Sequence, residues 1–291
     1  MENKSFLLID KFINYLAIER NYSENTINSY QSEITKFALF YKEDISKANT
    51  KDLKNYLELN NQLSSKTLAH KISSLKAFYN YLLREEIITN NPATYLIRPK
   101  NTLKLPDVLN LEEVSLLLDI NINTPYNARD KAILELLYST GIRISELIKL
   151  EHANIDFDSC LIRVMGKGRK ERIIPMGDYT IDALNNYVKN YRPLINKRKN
   201  NYLFINKSGN KISRQFIFKM IKKECLKKGI KKNISPHTLR HTFATHLLKN
   251  GADLRIIQEL LGHENLSTTQ IYTHISKDKL QSEYNNIHPR N

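Results

Sequence analysis

Pro236-His237-Thr238-Leu239-Arg240-His241-Thr242-Phe243-Ala244-Thr245-His246 is the densest cluster of chemically equipped side chains in the sequence. Proline is favoured at the first position of a helix, and the apolar spacing that follows predicts a helix over 238–249. His237 and Arg240 stand three residues apart and share one face near its N-terminus, where free backbone N–H groups and the macrodipole favour an anion. His237 and His241, four apart, have the spacing of a shared metal site. However, the glutamate of a His-Glu-x-x-His zinc helix is absent, and Arg240 would set a positive charge beside the ion. A phosphate is the better ligand for this face, and His241 and His246 read as packing or surface residues.

Downstream, Leu260-Leu261-Gly262-His263 reads as a helix closed by glycine with a histidine just beyond it, and Tyr272 follows nine residues later. A tyrosine phenol, with a reference pKa near 10, is a poor nucleophile unless its surroundings take its proton and neutralise the phosphate it attacks. Upstream, Gly141-Ile142-Arg143-Ile144-Ser145-Glu146 places an arginine after a glycine break and ahead of a helix that Ser145 is expected to cap. The guanidinium fork suits phosphate oxygens. Between these lies Gly166-Lys167-Gly168-Arg169-Lys170, a basic hairpin tip flanked by β-prone runs at 160–164 and 172–175. Lysine shifts its pKa readily near other cations, so Lys167 can serve as an acid for an alkoxide leaving group. Taken singly, the ordinary readings are a surface ion pair for Arg143, a solvated turn for Lys167 and core packing for Tyr272.

The first hundred residues read as four amphipathic helices. Ser5 is expected to cap one through Leu8, Phe12 and Leu16, and Ser23 a second through Ile27, Ile34 and Phe37. Thr50 opens a short third helix, and the fourth runs over 65–84 and ends before Asn91-Pro92. Arg98-Pro99-Lys100-Asn101-Thr102-Leu103-Lys104-Leu105-Pro106 has two prolines and no periodicity, so it reads as a linker. Beyond it, helices are expected at 111–118 behind an Asn110/Glu113 capping box, and at 128–139, 179–191, 214–228 and 238–249. The expected fold is mainly α: a four-helix N-terminal domain over 1–97, a basic linker over 98–109, and a mostly helical domain with a small antiparallel sheet over 110–291.

The 291 residues carry 45 Lys or Arg against 30 Asp or Glu, a net charge of +15. From Ile195 to Lys232 there are thirteen basic residues and a single acid, Glu224. Charge concentrated in this way predicts a polyphosphate partner. There is no run of 18 apolar residues and no signal peptide pattern, so the expected location is the cytoplasm. Two cysteines, Cys160 and Cys225, cannot form a disulfide framework and read as buried or half-buried residues.

The ordered set Gly-x-Arg-x-Ser-Glu at 141–146, Gly-Lys-Gly-x-Lys-Glu-Arg at 166–172, His-x-Leu-Arg-His at 237–241, Leu-Gly-His at 261–263 and Tyr272 resembles the tyrosine recombinase (phage integrase) family. Glu19-Arg20-Asn21-Tyr22-Ser23 and Thr26 are similar to that family's SAM-like core-binding domain, and His288-Pro289-Arg290 is most like the Xer recombinases that resolve chromosome dimers. The resemblance implies that Tyr272 attacks a scissile phosphate to form a 3′-phosphotyrosyl bond, with Arg143, Arg240 and His263 on the phosphate. It also implies that His237 accepts the tyrosine proton and Lys167 protonates the leaving 5′-oxygen, with no cofactor, metal or ATP. Expected partners are double-stranded DNA with a near-palindromic site, three further protomers or a second recombinase in a tetramer, and a DNA translocase, all at the nucleoid. A C-terminal helix over about 277–286 is expected to dock into a neighbouring protomer. An integrase or excisionase of a mobile element and a type IB topoisomerase-like nicking enzyme share the same residues and remain alternatives.

Overall fold

The computed structural model of the chain describes residues 2–60, 62–99, 107–166, 171–262, 284 and 287–289. It divides into two compact units, Met1–Lys104 and Leu105–Asn291. Among the described residues, no helix is long and apolar enough to cross a membrane.

In the first unit α1 (Glu2–Ile18), α2 (Glu24–Tyr41), α3 (Thr50–Glu58) and α4 (Ser65–Arg84) pack around Phe12, Phe37, Phe78 and Tyr79. The 3.6-residue spacing of apolar positions dictates these helices, and local caps set their limits. Asn49 and Asp52 close a reciprocal capping box on α3, and Ser64 accepts from the Thr67 N–H at the start of α4. Ser5 departs from expectation because α1 begins at Glu2 and the serine lies inside the helix. It is buried there, donates to the Glu43 carbonyl at 3.0 Å and accepts from the Ile45 N–H at 3.1 Å, so its hydroxyl satisfies a loop instead of a helix end. Glu33, Tyr56 and Lys71, all buried, form one polar network: Lys71 and Tyr56 donate to Glu33 Oε1 at 2.6 and 2.7 Å.

The second unit is built on α6 (Pro125–Thr140), which follows α5 (Leu111–Leu118). α6 begins three residues before the expected start because Pro125 occupies its first turn and Thr124 caps it. It is buried on nearly every side, from Ala128 to Thr140, so periodicity carries little signal there. A four-residue α7 (Ile144–Leu147) leads to a sheet of β1 (Ile155–Asp156), β2 (Leu161–Met165) and β3 (Glu171–Pro175). The sheet is antiparallel in the order β1-β2-β3, with Val164 opposite Arg172 and Met165 opposite Glu171. β1, two residues long, is too short for a period of two to register.

The expected helix over 179–191 divides into α8 (Asp178–Asn186) and a π-helical turn at Tyr187–Tyr191, followed by α9 (Arg192–Ile195). Then come α10 (Arg214–Lys227), α11 (Pro236–Lys249) and α12 (Leu254–Leu261). The expected C-terminal helix at 277–286 lies outside the described residues apart from Tyr284, which is buried in this same unit and donates to the Ser139 carbonyl at 2.8 Å. Cys225 is buried and Cys160 half-buried, both as free thiols.

Candidate active site

α6 ends at Gly141, whose φ of +56° lies in the left-handed region, and a Cβ there would meet the Phe243 ring at 2.5 Å and Leu261 at 2.9 Å. Only glycine satisfies both the backbone and the space. The chain turns through buried Ile142 into Arg143, which occupies the N-cap position of α7. Ser145, the expected cap, is instead the second residue of that helix. The reaching side chain belongs to Glu146, whose Oε2 accepts from the Arg143 N–H at 2.9 Å.

α11 supplies the second arginine. Leu239 and Phe243 are fully buried and fix its inward face, while Ser235 caps its first turn through the Thr238 N–H. That anchoring leaves His237 exposed on the first turn and Arg240 half-buried one turn later. Arg240 donates to the carbonyls of Gly141 at 2.6 Å and Leu261 at 2.5 Å. Burial first, then the neighbouring Arg143 and Arg172, pull its guanidinium down to about 10. The group stays charged at neutral pH, but its charge is poorly solvated and attracts an anion.

α12 is where the arginines converge. Its last carbonyls face the site, and each accepts from a different guanidinium: Leu260 from Arg172 Nε at 2.9 Å, Leu261 from Arg240, and Gly262 from Arg143 Nη2 at 2.7 Å. The negative end of the helix dipole faces these cations. Gly262 closes α12 at φ +65°, and a Cβ there would press on Arg172 and Arg143 at 3.3–3.4 Å. Glu146 is the one carboxylate paired with this cluster among the described residues, bound by Arg143 Nη1 at 3.0 Å and by both terminal nitrogens of Arg172 at 2.9 and 2.8 Å. Three guanidiniums against one acid leave a centre that favours an anion.

Of the residues expected from the sequence, Arg143 and Arg240 meet at the end of α12, and His237 lies on the helix that carries Arg240. Lys167, His263 and Tyr272 lie outside the described residues. His241 is half-buried, and His246 is a packing residue. Nε2 of His246 donates to the Leu109 carbonyl at 2.9 Å, which leaves Nδ1 to accept from the Tyr138 hydroxyl at 2.8 Å. Burial pulls this imidazole below its ordinary value.

Arg172 and Glu146 carry no role in the sequence reading beyond their places in the motifs. One signal was available: strand alternation puts Arg172 on the same face of β3 as Ile174, which is fully buried. An arginine on an inward face requires an acid partner.

In the basic stretch from Ile195 to Lys232, the structure divides the cations by use. Lys227 pairs with Glu224, Lys228 with Asp119 and Lys232 with Glu113. Lys197, Lys199, Lys207, Lys211, Arg214, Lys219, Lys222, Lys223 and Lys231 are exposed.

Residues 107–279 match the profile described as "Phage integrase family", and residues 9–86 match "Phage integrase, N-terminal SAM-like domain". A protein of Oceanobacillus iheyensis named tyrosine recombinase XerD is 43% identical, covering 97% of this chain and 98% of its own length. Its namesake in Staphylococcus aureus strain Mu50 is 44% identical, covering 97% and 99%. Among solved structures, the XerH site-specific recombinase in a post-cleavage complex with palindromic difH substrate is similar at a TM-score of 0.70 and 26% identity. That likeness spans 90% of this chain and 80% of XerH.

Proposed function

Because the chain belongs to the phage integrase family of tyrosine recombinases, we propose that it cuts and rejoins DNA at a specific site through a 3′-phosphotyrosyl intermediate. The observation that carries this reading to particular atoms is the convergence of Arg143, Arg172 and Arg240 on the last carbonyls of α12, with Glu146 as their shared acid. Of these, Arg143 and Arg240 are the donors that, fixed in this way before substrate arrives, stabilise charge that develops on a phosphoryl group without reorganising.

In the proposed reaction the Tyr272 oxygen attacks phosphorus, the P–O5′ bond breaks, and the phosphodiester is conserved as a phosphotyrosine. His237 takes the phenolic proton, and Lys167 gives one to the departing 5′-oxygen. Arg143 and Arg240 hold the nonbridging oxygens, with His263 donating to the same phosphate. A 5′-hydroxyl from a partner strand then attacks the phosphotyrosine, which restores the phenol and joins the exchanged strands. Repetition on the second strand pair passes through a Holliday junction. The exposed lysines of α10 and the preceding loops supply phosphate contacts along the duplex.

The finer proposal is resolution of chromosome dimers by four protomers on two near-palindromic sites. It is supported by the relatives named XerD and by the palindromic difH substrate in the XerH structure. The test is covalent trapping on a nicked suicide duplex. Wild-type protein is expected to form a denaturant-stable adduct and Tyr272→Phe to bind the same DNA without forming one. No wild-type adduct, or an adduct that survives Tyr272→Phe, overturns the reading. Incubation with two site-bearing plasmids then separates joined products from simple relaxation.

A further inference from the structure

Arg172 has no assigned step in the reaction above, although its guanidinium makes three fixed hydrogen bonds where those of Arg143 and Arg240 make two each. Its side chain is 11% exposed, against 37% for Arg143, so it is too enclosed to meet a phosphodiester on a duplex. Its donors are directed inward: Nε to the Leu260 carbonyl, Nη1 to Glu146 Oε1 and Nη2 to Glu146 Oε2. Glu146 completes the arrangement, because its Oε1 also accepts from Arg143 Nη1 and its Oε2 from the Arg143 backbone N–H. Each carboxylate oxygen therefore takes one hydrogen bond from each arginine.

We infer that Arg172 is a positioning residue that sets the direction and the available charge of Arg143. The inference rests on the recombinase reading. The fork-to-fork pair fixes the plane of the carboxylate, and that plane fixes where Arg143 Nη1 points. The same pair divides the charge of Glu146 between two guanidiniums. Without Arg172, Glu146 would turn fully onto Arg143, pairing out the charge that the phosphate needs. The bond to Leu260 adds a third tie, from β3 to the end of α12. Lysine cannot replace this arginine, because a single ammonium does not span two carboxylate oxygens in a fixed plane and a carbonyl as well.

The test measures single-turnover adduct formation on the suicide duplex at saturating DNA. Arg172→Ala and Arg172→Lys are both expected to slow the adduct step roughly 10- to 100-fold, the scale of a small misplacement of a reacting group. Half-saturating DNA concentration should stay within about twofold of wild type, because no contact to the duplex is removed. Arg172→Lys, which keeps bulk and charge, serves as the readout if Arg172→Ala folds poorly.

A second substrate distinguishes positioning from general weakening of the fold. With a neutral methylphosphonate at the scissile position, less charge needs a clamp, so the gap between variant and wild type should shrink about tenfold. A merely structural loss would slow both substrates alike. The double variant Glu146→Gln/Arg172→Ala should be no slower than Arg172→Ala by more than about threefold, because both changes break one unit. A wild-type adduct with unchanged rates in both Arg172 variants, or an equal deficit on the two substrates, overturns the inference alone. Absence of an adduct in wild type overturns the recombinase reading and this inference with it.

Discussion

Arg240 Nη1 lies 2.6 Å from the carbonyl oxygen of Gly141, tying the start of α11 to the last turn of α6 across 99 residues of sequence. The carbonyl belongs to a residue in the left-handed conformation, so an arginine proposed to meet phosphate takes its bearing from a glycine at the end of another helix.

Gly141→Ala should therefore damage fold and site together. A methyl group there meets Phe243 at 2.5 Å and Leu261 at 2.9 Å in a conformation that alanine rarely adopts. Overpacking on this scale costs roughly 1–3 kcal/mol. Urea unfolding followed by circular dichroism should show the midpoint falling with little change in slope, and a midpoint equal to wild type would refute the steric account.

Arg240→Lys tests the second clamp. A lysine keeps the charge but cannot donate to Gly141 and Leu261 in one fixed plane while presenting a further N–H to a phosphate. Loss of one donor to a developing phosphoryl charge costs about 100-fold in rate, and adduct formation should fall by that order with DNA affinity nearly unchanged. A loss seen only as weaker binding would make Arg240 a simple DNA contact.

Glu146 gives a pH signature. Burial pushes its carboxyl upward, but hydrogen bonds and charge from Arg172 and then Arg143 outweigh this and hold it below the ordinary carboxylate range. A carboxyl depressed on folding contributes stability that is fully present above its unfolded value, about 4.3, and lost as pH falls through the lower folded value. The difference in melting temperature between wild type and Glu146→Gln should hold constant from neutral pH to about 5 and narrow below 4. A difference that grows on acidification would contradict the depressed carboxyl.

In the N-terminal unit, Lys71→Met removes one partner from a network in which Lys71 and Glu33 side chains are 6% and 7% exposed. Leaving a buried carboxylate without its cation costs roughly 3–5 kcal/mol. The triple change Glu33→Leu/Tyr56→Phe/Lys71→Met should recover most of this in equilibrium denaturation of the full chain. Failure to recover would show that the network is needed for packing shape beyond its charge balance.

Much of this architecture is legible where one physical signal dominates. The course of α4 follows from its apolar spacing, and the start of α5 from a capping box written plainly as Asn110 and Glu113. Signals failed where tertiary burial overrode them. Ser5 has the composition of a cap, but its hydroxyl serves a loop some 40 residues away, and the first turn of α6 carries no apolar period, only the cap Thr124 and Pro125. Arg143 and Arg240 stand out in the sequence as members of the ordered motif set, whereas Arg143 taken singly reads as a surface ion pair. The joint role of Glu146 and Arg172 was not legible, because a shared carboxylate 26 residues from its second partner leaves no periodic trace.

The oxygens that anchor Arg172, Arg240 and Arg143 at the end of α12 are all main-chain atoms. No side-chain exchange at Leu260 or Leu261 deletes them. Drift in α12 among apolar residues therefore leaves the guanidiniums in place, whereas a single-residue insertion or deletion would rotate the terminal carbonyls by about 100° and strand all three at once. The site is tolerant of spelling in this helix and intolerant of length.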